Sequence, residues 1–284
     1  MVADESQAGP LGLIAGNGVF PLLVARGARD AGVAVVAVAH LGETEEALAG
    51  LVDECTWVRV GELGKIIKTF KQAGCRRAVL AGGIKKARLF HGFRPDLRGA
   101  AFLARVRSLQ DDRLLRGIAD ELESEGIRVI ASTDYMPSLV PAEGPLTRRV
   151  LRSRERADVE FGLSVAKSVG RFEIGQTVVV KDGLVLAVEA VEGTDEAIRR
   201  GGQLARGGAV VVKVSKPGQD LRFDVPAVGP ATIKLMAEVG ATVLALEAGH
   251  TIVLEREETI GAAELAGIAV VAVPAAHAEE APSR

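Results

Sequence analysis

Two α/β domains are what this chain predicts, and three observations predict them. Short, wholly apolar runs alternate with stretches of helical spacing through roughly the first 130 residues, the pattern of a parallel sheet covered on both faces. A stretch with three prolines and no period, 132–152, then breaks the alternation, and a second alternation runs from 153 to 275. Finally, 284 residues with 48% hydrophobic and 25% charged composition are enough to bury two cores of ordinary size.

The first run, 11–16, ends in Gly16-Asn17-Gly18, and helical spacing over 19–31 follows, with Pro21 acceptable in a first turn. Strands are expected at 33–39, 56–60 and 77–81, with a helix at 63–73 between the last two. Gly82-Gly83 close the 77–81 strand, and a basic, irregular segment follows, too long for a simple connection. A helix from Asp111-Asp112 to Glu125, stopped by Gly126, and a strand at 127–131 complete a doubly wound, Rossmann-like sheet. We therefore place the N-terminal domain at 10–131, a linker at 132–152, a C-terminal α/β domain at 153–275 and a disordered tail at 276–284.

The C-terminal domain opens with a helix over 153–169. Lys181-Asp182-Gly183 then marks a tight hairpin between 177–180 and 184–188. Further helices are expected at 196–200, 231–239 and 257–265, and strands at 209–214, 242–246, 251–254 and 267–273. The apolar strands and hairpin of this half suit a homodimer.

Several function classes drop out early. A net charge of −2 with no basic block, and 4% aromatic residues, argue against a nucleic-acid binder. Cys55 and Cys75 make neither a metal spacing nor a disulfide framework, which points to a reducing, cytoplasmic compartment. The start, MVADESQAGP, lacks a signal-peptide pattern, and the longest apolar stretch, 266–276, is short of the ~20 residues a membrane span needs. A peripheral contact with the inner membrane stays open.

One stretch concentrates charge. Lys213, Lys216, Asp220, Arg222 and Asp224 stand within twelve residues, between a strand and a helix, interleaved with Pro217, Gly218, Pro226 and Gly229. Cations beside carboxylates on a stiffened loop suit a polyanionic substrate held with a divalent metal. Gly16, Asn17 and Gly18 lie where backbone N–H groups at a helix start receive a phosphate or ribose, with Gly82 and Gly83 at the same sheet edge. Pro21 replaces the third glycine of a dinucleotide fingerprint, and His40 stands where its ribose acid would end the second strand. A nicotinamide-dependent oxidoreductase is thus the weaker enzyme reading, and a non-catalytic nucleotide or lipid sensor is the non-enzyme one. Glu192-Gly193-Thr194-Asp195 reads as a helix cap or as a place for a metal and a phosphate, and Gln176 as a turn residue or a base or sugar reader.

Taken together, LGLIAGNGVFP at 11–21, IGQ at 174–176, AVEGTD at 190–195 and the 213–232 loop resemble the UDP-2,3-diacylglucosamine pyrophosphatases of the LpxI type, over roughly residues 10–273. After Gly82-Gly83 the chain departs from the pattern, reading Ile84-Lys85-Lys86-Ala87 where a V-x-R-P run is expected. The resemblance implies two α/β domains with the lipid substrate between them, a Mg²⁺-dependent cytoplasmic enzyme of lipid A biosynthesis, and water directed at the β-phosphorus. It implies release of UMP and 2,3-diacylglucosamine 1-phosphate (lipid X). It matches the family's essential aspartate to Asp224. Around that residue, Lys213 and Arg222 are expected to neutralise phosphate, Glu192 and Asp220 to join Asp224 at the metal, and Gln219 and Thr232 to contact substrate beside Gln176, Gly193, Thr194 and the glycine turns. Leu89, Phe90, Phe93 and Phe102 are candidates to cover acyl chains or touch a membrane, as well as ordinary core residues.

Overall fold

The computed structural model describes residues 9–84, 95–105, 111–223 and 225–274. Asp224, the side chains of Asp111 and Asp112, the Lys85–Phe93 segment and the tail lie outside the described residues. The chain divides into two compact units, 9–136 with 220–223, and 137–219 with 225–274. The stretch expected as a linker is shared between them at 136/137.

In the first unit, β1 (Leu11–Ala15), β2 (Val35–His40), β3 (Glu54–Val58), β4 (Arg77–Ala81) and β5 (Arg128–Val129) form one parallel sheet in the order β3-β2-β1-β4-β5. The order reverses direction between β1 and β4, which puts the topological switch point at their carboxyl ends. Both β1 and β2 are buried along their whole length, which explains their uninterrupted apolar sequence. Helices α1 (Phe20–Asp30), α2 (Leu63–Gln72), α3 (Leu97–Arg105) and α4 (Asp111–Glu123) complete the unit.

Ile66, Ile67 and Phe70 of α2 and Leu122 of α4 meet Val36, Val38, Ile14 and Leu80 of the sheet. Burying each such side chain contributes about 1.5–3 kcal/mol. Gly12 exists in β1 because the Phe70 ring lies against it: a Cβ there would stand 3.0 Å from the ring. Phe102, of uncertain role in the sequence, is buried in this core. Helix α3 falls partly in the segment expected to be irregular. Asp96 explains it, since its carboxylate accepts the Gly99 N–H at 2.8 Å, three residues into the turn.

The second unit holds β6 (Gly144–Pro145), α5 (Ser153–Arg171), β7 (Thr177–Lys181), β8 (Leu184–Val188), α6 (Thr194–Ala205) and β9 (Val210–Lys213). It continues with β10 (Ala227–Val228), α7 (Pro230–Glu238), β11 (Val243–Glu247), β12 (Ile252–Val253), α8 (Arg256–Leu265) and β13 (Ala269–Val273). Its main sheet runs β6-β13-β11-β9-β7-β8, parallel from β13 to β9 and antiparallel outside them. The supposed linker therefore contributes an edge strand, β6, and Thr147, whose hydroxyl accepts the Val270 N–H at 2.9 Å.

Alternation of side chains sorts the second core into two layers. Val178, Val180, Val210, Val212, Val243 and Ala245 face α5 through Val159, Leu163 and Ala166. Val179, Val211, Leu244, Leu246 and Val270 face Ile198 of α6, Ile233 and Met236 of α7 and Ala263 of α8. The β7–β8 hairpin turns at Asp182 and Gly183, both at positive φ, with their N–H groups donated to the Asp158 carboxylate at 2.9 and 2.7 Å.

Candidate active site

At the switch point of the first unit the two glycine turns meet. The N–H of Gly16 donates to the Ala81 carbonyl (2.8 Å), and that of Asn17 to the Gly83 carbonyl (2.7 Å). No side chain fits between them: a Cβ on Gly16 would collide with the Gly83 carbonyl, and one on Gly82, at φ +79°, with the Asn17 carbonyl. Gly18, at φ +82°, faces open space, and the main chain then enters α1. Gly16, Asn17, Gly18, Gly82 and Gly83 are thus gathered at one edge.

Behind them, the Asn17 amide donates to Glu43 at 2.9 Å. The Ala15 carbonyl accepts from both His40 Nδ1 (2.8 Å) and the Thr44 hydroxyl (2.6 Å). Burial lowers the His40 pKa against the opposing pull of that carbonyl and of nearby Glu43 and Glu62, which favours the neutral ring.

Residues 220–223 pack within this first unit. Arg222 holds Asp220 in a two-pronged pair, Nε to Oδ1 at 2.9 Å and Nη2 to Oδ2 at 2.7 Å, and reaches Glu123 of α4 through Nη1 at 3.0 Å. Its guanidinium also lies 4.9 Å from the centre of the Phe223 ring, which packs on the core of the unit. The hydrogen bond from Arg222 holds Asp220 below the usual carboxylate range, and Asp220 in turn raises Arg222.

The second unit builds its edge from side chains. Lys213, the last residue of β9 and 7% exposed, donates from Nζ to the Thr194 hydroxyl at 3.1 Å. That hydroxyl donates to Glu189 at 2.9 Å, and the other Glu189 oxygen accepts the Gln176 N–H at 3.4 Å. The chain alternates charge and dipole: ammonium, hydroxyl, carboxylate, amide.

The local backbone makes this arrangement possible. Gly175 must lack a Cβ because the Glu189 carbonyl occupies that space, and Gly193, at φ +85°, turns the chain into α6. The first-turn N–H groups of α6 carry the positive end of its dipole. Among the described residues the buried Gln176 Oε1 has no hydrogen-bond partner, an unmet acceptor beside the group.

The other expected residues stand apart from this chain of bonds. Glu192 is paired with Arg200 at 2.6 Å, and its own backbone N–H, then Arg200, hold its carboxyl below the usual range. Gln219 closes a turn with Lys216, accepting its N–H at 2.8 Å. Thr232 sits in the first turn of α7, its N–H donated to the Gly229 carbonyl at 3.0 Å. Lys216 pairs with Glu173 at 2.6 Å. Among the described residues no group of three or more His, Cys, Asp or Glu side chains could hold a metal ion, and no helix is long and apolar enough to cross a membrane.

Sequence reasoning missed Glu189, Glu43 and the buried trio Lys167, Ser215 and Glu247. For Glu189 and Glu247 a signal existed: each is a carboxylate closing an otherwise apolar strand run, LVLAVE and VLALE. An acid there is either solvated or engaged, and both are buried.

Comparison with known proteins matches both halves. The family model for the LpxI N-terminal domain matches residues 10–139, and that for the LpxI C-terminal domain matches 142–271. A Caulobacter vibrioides protein named UDP-2,3-diacylglucosamine pyrophosphatase LpxI is 36% identical over 274 residues, spanning 93% of this chain and 97% of its own. Among solved structures, a biotin carboxylase subunit of pyruvate carboxylase is 17% identical over 60% of this chain, with a TM-score of 0.27. The complete pyruvate carboxylase of Rhizobium etli is 14% identical over 60%, with a TM-score of 0.30. This chain spans 34% and 14% of those two structures, a likeness too slight to bear on function.

Proposed function

The chain belongs to the LpxI family, and from that premise we propose that it hydrolyses UDP-2,3-diacylglucosamine to 2,3-diacylglucosamine 1-phosphate and UMP. The observation that carries this reading is the match to the Caulobacter vibrioides pyrophosphatase along nearly the whole of both chains. In the step proposed, a water oxygen bonds to the β-phosphorus while the bond from that phosphorus to the bridging oxygen breaks. UMP leaves with the bridging oxygen, and the proton lost by water passes to a base.

We assign that base role, or a metal-ligand role, to Asp224. Lys213 offers a fixed cation, its ammonium held by Thr194 rather than left to solvent, which is the preorganisation that stabilises developing phosphate charge. Among the described residues Arg222 commits three of its five N–H groups, to Asp220 and Glu123, and a guanidinium of this kind suits an anion. The backbone turns at Gly16–Gly18 and Gly82-Gly83, together with Gln176, Gly193, Thr194, Gln219 and Thr232, are proposed substrate contacts.

Mg²⁺ belongs to the same proposal. It needs one or two protein carboxylates when substrate phosphates and water complete its shell, so the described residues need not form a cage. Asp224 comes first; Asp220 and Glu192 follow, since each already binds an arginine. When bound, the metal would screen the diphosphate charge.

Contact with a membrane surface and self-association through the exposed edge strand β8, where Leu184 and Val185 face outward, complete the reading. Vesicle flotation and sedimentation velocity test those two.

The central test is UMP release from UDP-2,3-diacylglucosamine in ¹⁸O-water, with Mg²⁺ and with EDTA. Label in the lipid phosphate and loss of release under EDTA are expected. Label in UMP would move the attack to the α-phosphorus, and no UMP with any divalent ion would overturn the assignment. Asp224→Asn should cost roughly 10²–10⁴-fold in turnover.

A further inference from the structure

Lys167 occupies a position on α5 where the helix turns its apolar face to the sheet, between the buried Leu163, Ala166 and Gly170. A lysine there must be paired. Its Nζ donates to Glu247 Oε1 at 2.6 Å and to the Ser215 carbonyl at 2.9 Å, and stands 3.4 Å from the Ser215 hydroxyl. Glu247, the last residue of β11, is 0% exposed. Its second oxygen accepts both the N–H and the hydroxyl of Ser215 at 2.7 Å, and His250 Nδ1 lies 3.1 Å from the first. Burial pushes the Glu247 carboxyl up, but the hydrogen bonds from Lys167 and Ser215, with the nearby His250 ring, outweigh it and hold it below the usual range.

Lys167 and Glu247 both bind one loop residue, Ser215. Ser215 follows Lys213 by two positions and precedes Lys216-Pro217. The sheet's own bonding to this strand ends one residue earlier, where the Val214 N–H donates to the Gln176 carbonyl at 3.0 Å. Beyond that point the chain leaves the sheet, and the Glu247 carboxylate stands in for the missing ladder acceptor.

Resting on the pyrophosphatase reading, we propose that Lys167 and Glu247 are positioning residues for the reaction: through Ser215 they fix the direction in which the chain leaves β9. They thereby set the start of the segment that leads to Asp224, while the sheet itself holds Lys213. The ion pair by itself is weak evidence for a stabilising role, because replacing a buried pair by apolar groups of similar volume is often neutral or stabilising. What the apolar pair cannot do is accept the Ser215 N–H and hydroxyl.

The test is the double variant Lys167→Met/Glu247→Leu, beside Lys167→Met alone and Ser215→Ala. The double variant should melt below wild type, because the buried Ser215 N–H and hydroxyl lose their acceptor, and it should still fold; kcat for UMP release should fall about tenfold or more, since small misplacements cost up to ~10²-fold. Amide exchange should accelerate over 214–219 and stay unchanged in the β7–β8 hairpin. Lys167→Arg, which keeps the charge, should recover part of kcat. A double variant with wild-type kcat and wild-type exchange overturns the proposal and leaves the pair a packing feature. Should the double variant fail to fold, Ser215→Ala decides: a loss of kcat with unchanged melting supports the proposal, and unchanged kcat overturns it. If wild type itself releases no UMP, the pyrophosphatase reading falls, and exchange over 214–219 alone decides whether the pair anchors the loop.

Discussion

The two sheet edges that gather the candidate residues are built from different materials. In the first unit the edge is backbone: Gly16 and Gly82 press their main chains together, and the turn around them is closed by carbonyls and N–H groups. Its nearby titratable ring, His40, is buried and favours the neutral form. In the second unit the edge is side chain, an ordered series from Lys213 through Thr194 to Glu189 and the backbone of Gln176. A backbone edge selects by shape and neutral hydrogen bonds, whereas a fixed ammonium responds to charge that grows during a reaction. On the proposed function, binding falls chiefly to the first edge and rate chiefly to the second.

The largest effect should come from the charged edge. Lys213→Met is expected to lower kcat for UMP release about 10²–10³-fold with KM changed far less. Lys213→Arg should restore only part of it, because a planar fork cannot take the ammonium's place on Thr194. A loss that appeared in KM alone would erase the distinction between the two edges.

Next in size is the backbone edge. Gly82→Ala combines positive φ with a collision against a carbonyl that cannot move aside, and should destabilise the protein by about 1–3 kcal/mol while raising KM. Gly18→Ala is the control, with the same sign of φ but open space around it, and should cost about 1 kcal/mol. Thermal melts of the pair separate the contact from the dihedral. Equal losses would mean the close approach of the two turns contributes nothing.

How much of this was legible depends on the range over which each feature is determined. The apolar runs of β1, β2 and β4 and the glycines that end them announce themselves locally, because a strand buried on both faces admits little else. The Asp182-Gly183 turn was equally plain. Helix α3 was not, since its only local sign is Asp96 before a run containing Gly99, which reads as loop. The pairing of Arg222 with Glu123 joins residues 99 positions apart, and that of Lys167 with Glu247 residues 80 apart. No local periodicity carries such information. The sequence marked the carboxylates and cations of the 213–224 loop as a group, but which of them answer one another is decided by the fold: Asp220 answers Arg222, and Lys216 answers Glu173.

A pH scan sharpens the comparison from the first edge. Burial depresses the folded-state pKa of His40 below its ordinary value near 6.5. As pH falls past that value the unfolded chain takes up the proton first, so acidification favours unfolding. The His40 contribution should be flat above about pH 7 and should grow as pH drops through 6.5 toward the depressed folded value. His40→Gln should melt with a shallower acid slope than wild type. Parallel slopes would show that the ring titrates as it would in water, and the first edge would then carry a switchable charge after all.

The smallest effect belongs to Glu192, which lies one residue from the turn into α6 and yet outside the Lys213–Thr194–Glu189 series. Its side chain meets Arg200, itself half exposed, and solvent-exposed pairs of that kind contribute little to stability. Glu192→Gln keeps the shape and removes the charge, so UMP release should stay within about threefold of wild type. The Mg²⁺ concentration for half-maximal rate is the sharper measurement. A carboxylate bound to the metal cannot lose its charge without raising that concentration well beyond tenfold, whereas one bound to arginine can. An unchanged Mg²⁺ requirement in Glu192→Gln, beside a raised one in Asp224→Asn, would separate the two carboxylates. A raised requirement in both would place Glu192 at the metal and show that Arg200 gives it up when substrate binds.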